Sequence, residues 1–194
     1  NRQMLALMRR YPDRFSGLAV ANPWYGRKAV ALLEKYFDLG LVGVYFHGGR
    51  QGFRLTEAIL DPLVKVCIAA RKPIYCETGT PGYAMPFQLA ELGRRFPEAK
   101  LVMGHMAWSD FCGYDIIPAA KQAPNILIET SCAIGEIVRG ALAELGPDRL
   151  LFGSGYPRSR PQLEIEKFRG LGLATEMYSR IMWRNARALW GIGK

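Results

Sequence analysis

The sequence is poor in histidine and cysteine and has no long apolar run, and each shortage excludes a class of protein. The four cysteines, Cys67, Cys76, Cys112 and Cys132, form no CxxC pair. That spacing argues against a zinc ribbon or a thioredoxin-like redox motif, and they read as reduced thiols of a cytoplasmic protein. No apolar stretch approaches the ~20 residues of a membrane span, and no charged segment followed by an apolar one resembles a secretory signal. A membrane is therefore not an expected partner. No GxGxxG follows the first predicted strand and no P-loop occurs, so the glycine loops that cradle phosphates are absent. No linker, low-complexity stretch or second composition divides the chain, which predicts a single domain over residues 1–194.

What is abundant is basic charge. Lysine and arginine number 26 against 17 aspartates and glutamates, a formal net charge of +9. The arginines are scattered, with no dense basic block and no nucleic-acid motif, so nucleic acid is not an expected partner. Two readings stay open for this charge: a solvated basic surface, or a field that draws anions such as small carboxylates into a cleft.

Periodicity and breakers divide the chain into a repeating unit. Asn1 to Arg10 reads as a helix, stopped by Tyr11-Pro12-Asp13-Arg14. Short apolar runs then predict strands at 15–21, 41–46, 73–77, 101–104, 125–130 and 150–153. Helical patterns alternate with them at 27–37, 55–71, 87–95, 115–122 and 134–145. Two further helices follow, at 161–170 and 175–190. Strands that are continuous apolar runs fit a parallel sheet covered on both faces. Repeated βα units fit either a doubly wound sheet or a barrel. Polar residues favour the barrel, because they gather just after several different strands: Asn22, His47, Glu77, His105, Thr130, Ser131 and Ser154. In a barrel all those strand ends converge on one mouth. The expected fold is α/β, a (β/α)8 TIM-barrel-like architecture with about six βα units visible. A full barrel typically needs about 250 residues, and 194 are present.

Six segments in order carry a resemblance. They are Tyr11-Pro12-Asp13-Arg14-Phe15 with Gly17-Leu18-Ala19-Val20; Leu39 to Val44; Lys72-Pro73-Ile74-Tyr75-Cys76-Glu77-Thr78-Gly79; Lys100 to Met106 with its Gly104-His105; Arg149 to Pro157; and Asn185-Ala186-Arg187 with Leu189. Together they resemble the amidohydrolase-related (amidohydrolase-2) family of metal-dependent hydrolases and decarboxylases, along nearly the whole chain. The resemblance implies a divalent metal, zinc or manganese, a small carboxylated substrate, and a barrel whose first one or two strands precede Asn1. It also exposes departures. The family's His-x-His pair is absent, since His47 and His105 are the only histidines. Its third metal-binding histidine falls on Glu77, and its catalytic aspartate falls on Gly155.

The surviving candidates follow from these positions. His105, just past a strand, is expected at the mouth as a metal ligand or a substrate-polarising imidazole, or else as a histidine hydrogen-bonded locally, with Asp110 available to orient it. Glu77 offers a hard oxygen ligand, or a carboxylate paired with an arginine. Two ligands fall short of the three that catalytic zinc normally takes from protein. His47 is expected to shape the mouth without holding an ion, and Trp108 to wall a substrate pocket. Tyr156, Arg158 and Arg160 follow the last strand, where an arginine can clamp a carboxylate bidentately. Glu129 is expected to line the barrel or support the site from behind. Cys76 and Cys132 are expected to be inert. Two functions remain in view: a metal-dependent hydrolase or decarboxylase with an incomplete centre in this chain, or a catalytically degenerate barrel acting as a binding or structural subunit. Open sheet edges predict a homo-oligomer or a partner that covers them.

Overall fold

The computed structural model describes residues 1–193; Lys194, the end of the predicted domain, lies outside them. Six parallel strands form one sheet in sequence order: β1 (Leu18–Ala19), β2 (Gly43–Phe46), β3 (Ile74–Glu77), β4 (Leu101–Gly104), β5 (Ile126–Glu129) and β6 (Leu150–Leu151). Among the described residues β1 and β6 each pair on one side only, and both are two residues long. The helices are α1 (Arg2–Arg10), α2 (Arg27–Asp38), α3 (Gly48–Gln51), α4 (Asp61–Ala69), α5 (Pro86–Arg95), α6 (Ser109–Gln122), α7 (Gly135–Leu145), α8 (Pro161–Gly170), α9 (Thr175–Ser179) and α10 (Asn185–Trp190). A π-helical stretch, Arg180–Arg184, joins the last two. No helix among the described residues is long and apolar enough to cross a membrane. Among them the cysteines are all free.

The helix expected at 55–71 starts only at Asp61. Pro62 fits the first turn of a helix but not its interior, and a 3-10 turn at Ala58–Leu60 leads into it. The helix expected from Asp115 starts six residues earlier, at Ser109, with Cys112 out of helical geometry. The four-residue α3 has no counterpart in the sequence reading.

The strand register sorts the side chains. Successive residues of a strand point to opposite faces, and residues paired across parallel strands share a face. Val44, Phe46, Ile74, Cys76, Leu101, Met103, Ile126, Ile128 and Leu150 form one set, fully buried in the main core beneath the helices. Tyr45, Tyr75, Glu77, Val102, Gly104, Leu127, Glu129 and Leu151 form the other. On that inner face the lower layer is apolar: Val102 and Leu151 pack with Leu189, Tyr75, Leu127 and Trp190, so α10 closes this end of the sheet. The upper layer, at the carboxyl ends of the strands, carries the charge.

Candidate active site

Glu77 ends β3 and is only 3% exposed. A carboxylate so placed must have partners, because an unpaired buried charge costs several kcal/mol. It has three. Arg158 Nη1 donates to Oε1 at 2.8 Å, the Tyr45 hydroxyl donates to Oε2 at 2.8 Å, and His105 Nε2 stands 3.0 Å from Oε2. Burial works against ionisation of Glu77, but the hydrogen bonds from His105, Arg158 and Tyr45 and the charge beside it prevail, holding the carboxyl down at about 2.

His105 reaches Glu77 through an unusual turn. His105, Met106, Ala107 and Trp108 all have positive φ, between 46° and 54°. Four successive non-glycine residues in the left-handed region cost roughly 1–2 kcal/mol each, so other contacts must hold them. The His105 amide donates to Glu129 Oε2 at 2.9 Å, Trp108 N donates to the His105 carbonyl at 2.9 Å, and Thr78 Oγ1 donates to the Gly104 carbonyl at 2.6 Å. The turn swings the imidazole between Glu77 and Ser131, whose Oγ lies 2.7 Å from Nδ1.

Glu129, at the end of β5, anchors this layer from below. It accepts from the Tyr75 hydroxyl at 2.7 Å, from Ser131 N at 2.7 Å and from Ser131 Oγ at 2.9 Å. Gly104 makes this possible: a Cβ there would lie 2.4–2.6 Å from the Tyr75 ring and hydroxyl. Burial, then the neighbouring carboxylates, push both Tyr45 and Tyr75 well above the ordinary phenol range, so both stay protonated donors.

Arg158 closes the site from the loop after β6. The amide of Arg158 donates to the Gly155 carbonyl at 2.9 Å, turning the chain back over the mouth. Its guanidinium lies 5.1 Å over the Trp108 ring, and Nη1 is 3.4 Å from His105 Nε2. An open cavity of about 460 Å³ lies above, lined by Tyr45, Arg50, Tyr75, Glu77, His105 and Arg158, with Leu18, Gly155 and Pro157 completing it.

The structure brings together Glu77, His105 and Arg158 among the expected residues, with Trp108 packed against Arg158 but not among the residues that line the cavity it was expected to wall. The others lie elsewhere. Tyr156 is 74% exposed and does not line the cavity. His47 stands behind Tyr45, ring edge to face at 6.3 Å, and burial lowers its basicity; it too is outside the cavity lining. Asp110 is exposed and does not orient His105, because Ser131 and Glu77 do. Arg160 precedes α8. Thr130 bonds the Leu151 carbonyl and Asn22 caps a short turn. Burial pushes the Cys76 and Cys132 thiols up, away from the reactive thiolate form. Tyr45, Tyr75 and Arg50 were not anticipated as site residues, and Ser131 was expected at the mouth without a role. The signal was there for the two tyrosines, since each lies two residues before a strand-end polar residue, His47 or Glu77, and so on the same face.

Ser131, His105 and Glu77 are the residue types of an acyl-transfer triad, but Ser131 is wholly buried and its hydroxyl also faces Glu129. It cannot meet a substrate. A divalent ion does not fit these residues either. No three His, Cys, Asp or Glu side chains among the described residues converge on one point. Both oxygens of Glu77 are engaged, and a guanidinium already stands beside Nε2 of His105. At Gly155, φ is +61°, and a Cβ would lie 2.8 Å from Cys132 Sγ, so an acidic side chain there, absent from the sequence, would also have to push the thiol aside.

Comparison with known structures agrees with the sheet. A TIM-barrel protein from Bordetella bronchiseptica superposes with a TM-score of 0.84 at 23% identity, covering 98% of this chain and 71% of its own. The 2,6-dihydroxybenzoate decarboxylase from Rhizobium gives 0.77 at 19%, covering 98% and 75%. The dihydroxybenzoic acid decarboxylase from Polaromonas sp. JS666, with bound manganese and the inhibitor 2-nitroresorcinol, gives 0.79 at 18%, covering 100% and 74%. These likenesses establish the partial TIM-barrel fold. No curated protein sequence matches the chain. The amidohydrolase family model (Amidohydro_2) matches residues 1–192, and with six parallel βα units opening their strand ends on one charged mouth, this chain belongs to the amidohydrolase family.

Proposed function

We propose that this chain is an amidohydrolase-family barrel that binds a small carboxylate at the mouth of its sheet, and that its own residues do not assemble the family's metal-dependent centre. The cavity above Glu77 and His105 carries the reading. Its volume of about 460 Å³ falls in the ~300–1,000 Å³ range of small-molecule pockets. Arg50 and Arg158 face it against the single carboxylate of Glu77, and Arg50 forms no ion pair among the described residues. A net positive mouth on a chain of charge +9 attracts anions. The rings of Tyr45 and Tyr75, stacked at 5.7 Å, give it an aromatic wall. Support also comes from a structural neighbour, the 2,6-dihydroxybenzoate decarboxylase complexed with 2,6-dihydroxybenzoate, a small aromatic carboxylate. Titration of benzoate by isothermal calorimetry tests the proposal: saturable one-to-one binding that weakens in Arg50→Ala is expected, and no saturable binding by the folded protein refutes it.

A second reading, a metal-dependent hydrolase or decarboxylase, is favoured by the family and by the His105 ring, which reaches the cavity from the end of β4. Turnover of a panel of carboxylates and lactones with added Mn²⁺ or Zn²⁺ decides between them. Metal-dependent turnover by the purified chain establishes the second reading and overturns the first.

A further inference from the structure

We infer that the guanidinium of Arg158 takes the place of a divalent ion in this pocket: it neutralises Glu77, stands against His105 and offers fixed positive charge to an oxyanion without any metal. The inference deepens the carboxylate-binding reading and rests on it. Three observations carry it. First, the Arg158 Nη1 contacts are the two groups here that could ligate a cation, Glu77 Oε1 at 2.8 Å and His105 Nε2 at 3.4 Å. A second cation there would meet a like charge at contact distance. Second, the guanidinium is held in one orientation. The indole of Trp108 lies under it at 5.1 Å, and Trp108 is itself fixed by the left-handed turn that His105 begins. Third, Arg158 is not used up. The side chain's one hydrogen bond among the described residues, to Glu77, runs through Nη1, and a guanidinium has five N–H donors in a planar fork. The rest of the fork, on a side chain 41% exposed, remains for a carboxylate, which such a fork takes bidentately. Gly155 completes the case, since its space is filled by Cys132 and Ser131 rather than by the carboxylate a metal centre would need.

A simpler account makes the Arg158–Glu77 pair only a tie that holds the loop after β6. The two accounts differ in how metal and anion respond to Arg158. The experiment titrates benzoate into wild type, Arg158→Ala and Arg158→Lys, in EDTA and in excess Mn²⁺, and separately titrates Mn²⁺ followed by electron paramagnetic resonance. In wild type, benzoate affinity should agree within about twofold between EDTA and Mn²⁺. Arg158→Ala should weaken benzoate at least ~10-fold, and Arg158→Lys, which keeps the charge but loses the fork, should recover part of that loss. Mn²⁺ should bind Arg158→Ala at least ~10-fold more tightly than wild type, through the freed Glu77 and His105, and Glu77→Gln should abolish that gain. Benzoate binding that EDTA removes, stoichiometric Mn²⁺ in the wild-type pocket, or equal Mn²⁺ affinity in wild type and Arg158→Ala overturns the inference. Benzoate that binds wild type in neither buffer refutes the carboxylate reading instead, and the Mn²⁺ titration then judges the role of Arg158 by itself.

Discussion

Replacing Glu77 by glutamine removes one charge and almost no volume, so its effect isolates the electrostatics of the mouth. The carboxyl is held at about 2 in the folded chain against an ordinary 4.5. At ~1.36 kcal/mol per tenfold change in proton affinity, that gap stabilises the folded state by roughly 3 kcal/mol at neutral pH. Breaking a buried ion pair typically costs ~3–5 kcal/mol, and Arg158, being partly exposed, recovers some hydration, so the lower end is consistent. The sign is fixed by linkage. The folded carboxyl gives up its proton more readily than the unfolded one, so the stabilisation is complete above about 4.5 and is lost as pH falls through about 2. At pH 3 the unfolded group is protonated while the folded one is still mostly ionised, and roughly 1 kcal/mol remains. Urea unfolding followed by tryptophan fluorescence reads this directly. With a slope of about 2 kcal/mol per molar urea, the midpoints of wild type and Glu77→Gln should differ by about 1.5 M at pH 7 and by about 0.5 M at pH 3. Comparing the two proteins at each pH cancels the other carboxylates. A difference that is equal at both pH values refutes the assignment of Glu77 as the low-lying carboxyl.

Two further substitutions probe the frame of the site. Gly104→Ala places a methyl 2.4–2.6 Å from Tyr75, which must swing off Glu129; a loss of about 1–3 kcal/mol by urea unfolding is expected, and an unchanged midpoint contradicts the close approach. Gly155→Asp puts back the family's residue type, but at φ +61° and against Cys132. It should cost about 2 kcal/mol from backbone and packing together without creating a stoichiometric Mn²⁺ site, as metal analysis after dialysis would show.

Where chain chemistry acts locally, the sequence was readable. Helix α8 was expected at Pro161–Gly170 and lies there, because Pro161 fits the first turn. Strand β4 follows from a compact apolar run, Leu101 to Gly104. The early strand expected at 15–21 shrinks to Leu18–Ala19, since an edge strand has one neighbour to pair with. Helix α6 begins well before Asp115, although it contains Gly113 and Pro118, because Ser109 and Cys112 are buried there by tertiary packing. In the site, Glu77, His105 and Arg158 stood out as polar residues after strands. Tyr45 and Tyr75 did not, because in short apolar strands a tyrosine reads as core. Their hydroxyls matter only once the register puts them under Glu77 and Glu129. Nothing local foretold the left-handed turn, which belongs to no glycine.

That turn explains why Glu129 belongs to the architecture of the mouth rather than to its chemistry. Four left-handed residues cost roughly 4–8 kcal/mol together. Against this stand a charge-assisted hydrogen bond from the His105 amide to Glu129, worth about 1.5–3 kcal/mol, and two neutral bonds, from Thr78 and Trp108, of about 1 kcal/mol each. Full burial of Met106 adds roughly 1.5–3 kcal/mol. The two sides nearly balance, so no one contact is spare. Glu129 supplies the largest polar share and is not among the residues that line the cavity. Glu77 faces the cavity and sets its charge, while Glu129 holds the backbone that presents His105 and Trp108. The two glutamates share a sheet face and a layer, yet their partners divide recognition from support.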